Sequence, residues 1–285
     1  MKTKKIFITT AQINKYTAYL KNEEHADNTI EKYARDVRAF ADFLNGETAT
    51  KELVIAWKNR LKETHAVTSI NSMIAAVNGF FDFLKIDIKI KQFKIQRKTF
   101  LSEEKELTKE EYERLLDTAK MQDNIRLYYI MQTLCATGIR VSELRFITIE
   151  AVQKGQTDVT NKNKTRTIFI PDKLRRALIR YAKQRDINTG PIFITRTGKP
   201  INRSNIWFEM KSLCEAAGVD ASKVRPHGLR SLFARTFYNA AKDIVKLADI
   251  LGHSDVKTTR IYVMETGTEH RRIINSLDLV KYYGT

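Results

Sequence analysis

Apolar residues in the first ninety positions recur at the three- and four-residue spacing that is typical of amphipathic helices. Thr9 and Gln12 form a capping-box pattern that opens a first helix. Two later stretches repeat the helical spacing, with Ile30, Tyr33, Ala34, Val37, Phe40, Ala41 and Leu44 in one and Ile70, Met73, Ile74, Val77, Phe81 and Leu84 in the other. Gly46 is expected to end the earlier of these helices, and a shorter helix is expected from Leu53 to Leu61. Residues 1–90 are therefore predicted to form a compact helical bundle.

The apolar periodicity stops after Ile86, and basic residues take its place up to Lys105. We expect residues 91–106 to be a linker between two domains, because the stretch shows neither a helical nor a strand pattern. A basic linker can lie against a phosphate backbone. The candidate DNA-binding residues in it are Lys94, Arg97 and Lys98. The alternative is that this segment is only a solvated connector.

Residues 107–285 are predicted to form a second domain that combines helices with a short region of period two. Thr108 and Glu111 form another capping box, and a helix through Tyr128–Ala136 is expected to end at Gly138. Alternating residues predict two strands around a polar tip, at Asp158-Val159-Thr160 and Thr167-Ile168-Phe169-Ile170. Further elements are expected, namely a third short strand over 192–194 and helices over 204–217, 228–239 and 243–251, the last ended by Gly252. The predicted fold class is thus mainly α with a small β-sheet (α+β).

The charge of the chain indicates a polyanionic partner. Its 285 residues carry a formal net charge of +17, from 50 Lys and Arg against 33 Asp and Glu. Such an excess favours nucleic acid, and an anionic membrane surface is the alternative. No stretch approaches the ~18 apolar residues of a membrane span, and the apolar run Ile6-Phe7-Ile8 is too short for a signal peptide. We therefore expect no contact with a membrane.

The two cysteines, Cys135 and Cys214, lie in apolar helical patterns and have no zinc-finger spacing. We interpret them as small buried residues in a reducing compartment. The predicted location is cytoplasmic and associated with the nucleoid. No phosphate-binding loop and no clustered Asp/Glu pair stands out among the motifs, so neither a nucleotide cofactor nor a metal is expected.

Five polar residues in the second half suit chemistry on a phosphodiester without a metal. They are Arg140, His227, Arg230, His253 and Tyr262. Guanidinium groups bind phosphate oxygens in a bidentate manner, histidine moves a proton near neutral pH, and a tyrosine hydroxyl can be a covalent nucleophile. Each residue also has an ordinary explanation taken singly, such as an ion pair of Arg140 with Glu143, a helix-capping histidine or a core aromatic residue.

The joint occurrence of four motifs is more specific than any single residue. They are G-I-R-V-S-E-L at Gly138–Leu144, H-G-L-R at His227–Arg230, L-G-H-S at Leu251–Ser254 and T-T-R-I-Y at Thr258–Tyr262. In this order and spacing the chain resembles the tyrosine site-specific recombinases, which include phage integrases, Cre-like enzymes and Xer-type resolvases. The resemblance covers the whole chain, with a helical core-binding domain followed by a catalytic domain.

The resemblance implies a role for each residue of the set. Tyr262 matches the nucleophile that forms a 3′-phosphotyrosine, and Arg140 and Arg230 match the pair that binds the scissile phosphate. His227 matches the residue that assists proton transfer at the nucleophile, and His253 matches a second phosphate-contacting position. The family also uses a lysine on the hairpin between the first two strands of the catalytic domain. The hairpin here is one residue shorter than usual, so that Lys162 is the best match for this general acid and Lys164 the alternative.

Two departures from the family pattern bear on function. Ser231 stands where a second histidine is common, and Val263-Met264 follow the tyrosine where Xer enzymes commonly have Thr-His. The second departure favours the integrase of a mobile element over a chromosome-dimer resolvase, although no additional N-terminal arm-binding domain is evident.

Further expectations follow from the resemblance. The expected partners are double-stranded DNA and further copies of the chain, as a homotetramer on two DNA sites, possibly with a partner recombinase. The apolar positions Ile273, Ile274, Leu277 and Val280 of the tail either pack on their own domain or dock into a neighbouring protomer. Two alternatives to a recombinase are a type IB topoisomerase-like enzyme and a non-catalytic DNA-binding regulator of the same fold.

Overall fold

The computed structural model describes residues 7–95, 106–161, 164–195, 197–262, 267–277 and 279. The chain divides into two compact units, Met1–Arg97 and Lys98–Thr285. The described residues are mainly helical with one small antiparallel sheet, which confirms the predicted fold class. None of the helices in these ranges is long and apolar enough to cross a membrane.

The described part of the first unit contains four α-helices, with the bounds α1 Thr10–Asn22, α2 Asp27–Leu44, α3 Lys51–Arg60 and α4 Val67–Phe83. Helix α1 begins with the predicted capping box of Thr9 and Gln12. The core is aromatic, and Phe40 packs against Trp57 and Phe81 with ring centroids 5.0 and 5.9 Å away. The apolar faces that the sequence predicts on these helices therefore pack against one another and form the core of this unit.

Helix α2 ends one residue earlier than predicted. Its C-cap is Asn45, which is left-handed with φ of 45°, and not Gly46. Asparagine tolerates this conformation better than most residues with a side chain. Gly46 follows it, also with a positive φ of 84°.

The described start of the predicted linker is attached to α4. The side chain of Asn78 bonds both the backbone N–H and the carbonyl of Ile90, at 3.1 and 2.9 Å. Asn71 does the same for Phe93, at 2.8 and 2.9 Å. These two asparagines substitute for a neighbouring strand, so the chain as far as Phe93 is held against the helical unit.

The second unit contains the remaining helices and the sheet. Its helices are α5 Lys109–Met121, α6 Ile125–Thr137, α7 Ile149–Lys154, α8 Asp172–Gln184, α9 Arg203–Ser212, α10 Pro226–Ala241, α11 Ile244–Leu251, α12 Val256–Thr259 and α13 Gly267–Ser276. Short 3₁₀ helices cover Val141–Phe146 and Arg260–Tyr262. The predicted capping box of Thr108 and Glu111 is present at α5, and α6 ends at left-handed Gly138 as predicted.

The sheet has two antiparallel strands, β1 Gln156–Asn161 and β2 Lys164–Phe169, and Asn161 pairs with Lys164 next to the tip. The predicted third strand at residues 192–194 is wrong. The described residues there form only isolated bridges, from Thr148 to Pro191 and from Ile194 to Pro200. Each bridge includes a proline, Pro191 or Pro200, which has no backbone N–H to donate to a ladder and so weakens the pairing there.

Helix α9 is shorter than predicted. It ends at Ser212, and turns rather than helix continue to Gly218. Leu213, Cys214 and Ala217 are all buried. Their apolar character was the reason to extend the helical pattern, but buried turn residues carry the same character.

Candidate active site

Tyr262 lies in the 3₁₀ helix that follows α12, and only 6% of it is exposed. Its hydroxyl lies 3.2 Å from Nε2 of His227. The ring also lies between two imidazoles, with centroid distances of 5.8 Å to His227 and 5.8 Å to His253. The Tyr262 hydroxyl therefore lies within hydrogen-bonding distance of an imidazole nitrogen of the same protomer.

His227 is the second residue of α10, directly after Pro226, and it lies one turn before Arg230. Proline suits this position because the first N–H groups of a helix have no intrahelical partner. Partial burial and the positive charge of Arg230 lower the pKa of His227 below its ordinary value. The lowered pKa favours the neutral imidazole, whose Nε2 can accept a proton in the tautomer that carries its hydrogen on Nδ1.

Arg230 is almost completely buried, with 2% exposure. Its guanidinium donates to the carbonyls of Gly138 and Leu251, the latter at 2.7 Å. Burial, followed by the positive charge of Arg140, lowers its pKa to about 10. Two carbonyls satisfy donor groups but do not neutralise a charge, so the guanidinium has the electrostatic environment of an anion-binding group.

His253 occupies a turn immediately after left-handed Gly252, which ends α11. Its Nε2 lies 3.1 Å from Nη2 of Arg230 and its Nδ1 lies 2.9 Å from Oγ1 of Thr259. Because arginine only donates, Nε2 must be the acceptor and Nδ1 must carry the proton. Burial and then Arg230 lower the pKa of His253 to about 4, which agrees with this neutral tautomer.

Arg140 precedes the 3₁₀ helix Val141–Phe146 and is paired with Glu143. Its Nη1 donates to Oε1 of Glu143 at 3.1 Å, and its backbone N–H donates to Oε2 at 2.8 Å. Burial raises the pKa of Glu143, but hydrogen bonds from Arg166 and from Arg140 outweigh it and hold the pKa below the ordinary value. Among the described residues, Nε and Nη2 of Arg140 have no hydrogen-bond partner, which leaves them available to a ligand.

We call the side chains of Arg140, Glu143, Arg166, Arg230 and His253 the phosphate cluster. Glu143 bonds both Arg140 and Arg166, and Arg230 bonds His253. It contains three guanidiniums and one buried carboxylate. Glu143 accepts from Arg140 and Arg166, whereas Arg230 bonds only neutral groups. Positive charge therefore exceeds negative charge within the cluster, beside the hydroxyl of Tyr262, and this arrangement is suited to a phosphodiester.

The structure brings together all five residues of the predicted set, which come from α10, two 3₁₀ regions and the turn after α11. Only some of the predicted basic residues outside this set lie in the described part of the chain. Lys162 lies outside the described residues, and Lys164 is the first residue of β2. Lys94 is exposed at the end of the described part of the first unit, while Arg97 and Lys98 lie outside it.

Sequence reasoning missed three participants, Glu143 as a shared acceptor, Arg166 and Thr259. Glu143 was considered only as the partner of Arg140, and Arg166 was given no role. The available indication was the position of Glu143 inside the G-I-R-V-S-E-L motif and of Arg166 in the predicted hairpin. What could not be inferred is their contact across 23 residues of sequence, because that distance is closed by tertiary folding.

Comparison with family models gives two matches that together span most of the chain. The phage integrase family matches residues 105–269, and the N-terminal SAM-like domain of phage integrases matches residues 13–86. The chain therefore belongs to the phage integrase family, as a tyrosine site-specific recombinase. It is an enzyme that transfers DNA strands.

Individual relatives agree over nearly the whole chain. The tyrosine recombinase XerA of Pyrococcus furiosus is 28% identical over 278 residues, which cover 94% of this chain and 94% of the relative. The tyrosine recombinase XerD of Halalkalibacterium halodurans is 28% identical over 271 residues, covering 87% and 90%. A lambda integrase fragment, solved as a dimer bound to a COC′ core site, has the same fold, with a TM-score of 0.73, 17% identity, and coverage of 91% of this chain and 96% of that one.

Proposed function

We propose that this recombinase cuts double-stranded DNA at specific sites with Tyr262 as its nucleophile. The observation that carries the assignment is the 3.2 Å contact between the Tyr262 hydroxyl and Nε2 of a neutral His227, next to the buried Arg230. Free tyrosine has a pKa near ~10, so a proton acceptor and a positive field are both needed. The site supplies both within a single protomer, with His227 as the proton acceptor and Arg230 as the source of the positive field.

In the proposed cleavage step the Tyr262 oxygen attacks the phosphorus of one strand, and its proton passes to Nε2 of His227. The new bond is a 3′-phosphotyrosine, and the bond to the 5′-oxygen of the next nucleotide breaks. That oxygen takes a proton, for which we propose Lys162 as the donor and Lys164 as the alternative. A second 5′-hydroxyl reverses these steps and rejoins the DNA, so the phosphodiester energy is conserved.

The phosphate cluster would act on the charge that develops during attack. The guanidinium of Arg140, whose Nε and Nη2 have no partner among the described residues, and the buried guanidinium of Arg230 are held in place by protein contacts before DNA arrives. Loss of one preorganised oxyanion donor in an acyl-transfer site costs roughly 3–4 kcal/mol of transition-state stabilisation, and we expect an effect of this order here. His253, whose Nε2 bonds Arg230, would share the contact with the same phosphate.

We propose that the active assembly is a homotetramer on two double-stranded DNA sites. Lambda integrase has been solved as a tetramer bound to a Holliday junction. In this chain the tail supports such an assembly, because Ile274 and Leu277 of α13 and the following turn are 65% and 54% exposed in the single protomer. The overall similarity to XerA and XerD favours an Xer-like resolvase, with integration of a mobile element as the other outcome of the same chemistry.

The test uses a nicked suicide DNA, from which the cleaved strand is lost by diffusion so that the covalent complex accumulates. The wild-type protein should form this adduct in EDTA and without ATP, whereas Tyr262→Phe should bind the DNA and form none. Tyr238→Phe is the matched control in α10 and should behave as wild type. An adduct with Tyr262→Phe would overturn the assignment of the nucleophile.

Two further outcomes separate the alternatives. Absence of any adduct with the wild-type protein would leave a DNA-binding regulator. Relaxation of supercoils by single sites without a Holliday junction would identify a type IB topoisomerase-like enzyme. Formation of a Holliday junction by this protein alone would show that it needs no partner recombinase.

A further inference from the structure

Arg166 of β2 uses all three nitrogens of its guanidinium to join separate parts of the second unit. Nη1 donates to Oε1 of Glu143 at 2.9 Å and Nη2 to Oε2 at 2.7 Å. Nε donates to the carbonyl of Ile250 at 3.1 Å, at the end of α11. The side chain is only 10% exposed, so these contacts are shielded from solvent.

The first of these connections reaches Arg140. Each oxygen of Glu143 accepts from Arg166 and from Arg140, since Oε1 receives Nη1 of Arg140 and Oε2 receives its backbone N–H. A carboxylate held by a planar fork has one orientation, whereas a carboxylate held by a single donor can rotate. The fork of Arg166 therefore fixes the acceptor that orients Arg140.

The second connection reaches the turn that carries His253. Arg166 binds the carbonyl of Ile250, and its Cδ lies where a side chain on Gly252 would be, 2.5 Å from the position of a Cβ. Gly252 also has a φ of +65°, so both the backbone and the close approach of Arg166 require glycine there. The next residue, His253, accepts from Arg230.

We propose that Arg166 is a positioning residue that fixes the two halves of the phosphate cluster relative to each other. One half is Arg140, held through Glu143, and the other is Arg230 with His253, held through the end of α11. The proposal rests on the proposed function, because it assumes that both halves bind the scissile phosphate. Arg166 itself need not touch DNA.

Arg166→Lys is the informative variant, because it keeps the charge and loses the fork. We expect single-turnover cleavage of a normal phosphodiester to fall on the order of 10²-fold, the effect of misplacing a reacting group by about 1 Å. DNA affinity should change little. Because lysine cannot replace all three shielded hydrogen bonds, the melting temperature should fall somewhat, and cleavage is therefore measured well below it. Arg126→Lys is the matched control, since Arg126 pairs with Glu209 at 2.8 Å and shares no partner with the cluster.

Two modified DNAs separate positioning of the phosphate-binding groups from other roles. A methylphosphonate at the scissile position lacks the negative charge that the guanidiniums meet, so the deficits of Arg166→Lys and Arg140→Ala should both shrink on it. A 5′-bridging sulfur departs without needing a proton, so the deficit of Arg166→Lys should persist on that DNA.

Three results would overturn the proposal. Wild-type cleavage by Arg166→Lys would show that the fork is dispensable. Recovery on the sulfur substrate would assign Arg166 to protonation of the leaving group through the hairpin. Equal losses on all three DNAs would indicate a general structural defect. If the cleavage deficit of Arg140→Ala still shrinks on the methylphosphonate DNA, any of these three results leaves the proposed function intact. An adduct formed by Tyr262→Phe would instead overturn the proposed function itself.

Discussion

The two imidazoles beside Tyr262 form different hydrogen bonds, although their ring centroids lie at the same distance from the centroid of the tyrosine ring. His253 is fully engaged, because Nδ1 bonds Thr259 and Nε2 accepts from Arg230. Nε2 of His227 instead faces the phenol. Of these two imidazoles, only His227 is therefore placed to take a proton from the proposed nucleophile, and only while it is neutral.

In the proposed mechanism, the lowered pKa of His227 sets the pH dependence of cleavage. A base must be unprotonated, so its activity is lost as the pH falls through its pKa. Because partial burial and Arg230 move that pKa below the ordinary ~6.5, the acid limb of the cleavage rate should have its midpoint below about pH 6.5. Single-turnover rates of adduct formation between about pH 5 and about pH 8 measure it.

His227→Gln is the reference for this profile, because glutamine can bond the phenol but does not titrate. Its residual cleavage should show no limb in the same range. A limb that persists in the glutamine variant, or a wild-type midpoint above the ordinary histidine value, would contradict the role of His227 as the base.

Sequence motifs were sufficient to predict which five side chains meet, and geometry was needed to learn how they are held. Arg140, His227 and Tyr262 could be identified because each stands inside a recognisable motif. The connection from Arg166 to Ile250 joins residues 84 positions apart. No local pattern encodes such a contact, since it depends on how β2 packs against α11.

At the scale of elements, predictions succeeded where the information was local. The capping boxes at α1 and α5 involve residues three apart, and both are present. The third strand failed because strand formation needs a partner, and the stretch over 192–194 finds only isolated bridges. Apolar composition alone does not distinguish a buried strand from a buried loop.

The end of α6 is the element boundary on which the site depends most. Gly138 has φ of +64°, its carbonyl accepts from Arg230, and an added Cβ would lie 2.3 Å from Cδ1 of Phe233. Gly138→Ala should combine a left-handed strain of about 1–2 kcal/mol with overpacking of about 1–3 kcal/mol. Denaturant unfolding should therefore show a loss of roughly 2–5 kcal/mol, with reduced cleavage.

Gly218→Ala separates the backbone strain from the overpacking. Gly218 has a similar φ of +59° but nothing within 4 Å of an added Cβ, so only the strain should appear. Equal destabilisation of the two variants would show that Phe233 yields without cost and that the packing argument is wrong.

At the scale of the whole molecule, the tail is the feature that we expect to differ between a free protomer and one in the proposed tetramer. Ile274 is 65% exposed in α13, so Ile274→Asp should leave the folding of the protomer and its binding to a single DNA site unchanged. A buried carboxylate in a protein interface is costly. If the tail docks into a neighbour, tetramers on paired sites and Holliday junctions should therefore be strongly reduced.

Asn275→Asp adds the same charge at the next exposed position of α13 and serves as the control. Native mass spectrometry with paired DNA sites measures the assembly, and a junction assay measures strand exchange. Normal tetramers and normal recombination with Ile274→Asp would show that this face of the tail has no partner.

The excess positive charge of the phosphate cluster also has a consequence for the direction of the reaction. Each active protomer consumes one phosphodiester and regenerates one of identical charge, so in the proposed mechanism Arg140 and Arg230 meet the same group at the beginning and at the end. Fixed guanidiniums lower the barrier equally for both senses of strand exchange. They favour neither the parental nor the recombinant arrangement of DNA. Any bias toward one product must therefore originate outside this cluster, in the order in which protomers of the assembly become active or in the DNA sites themselves.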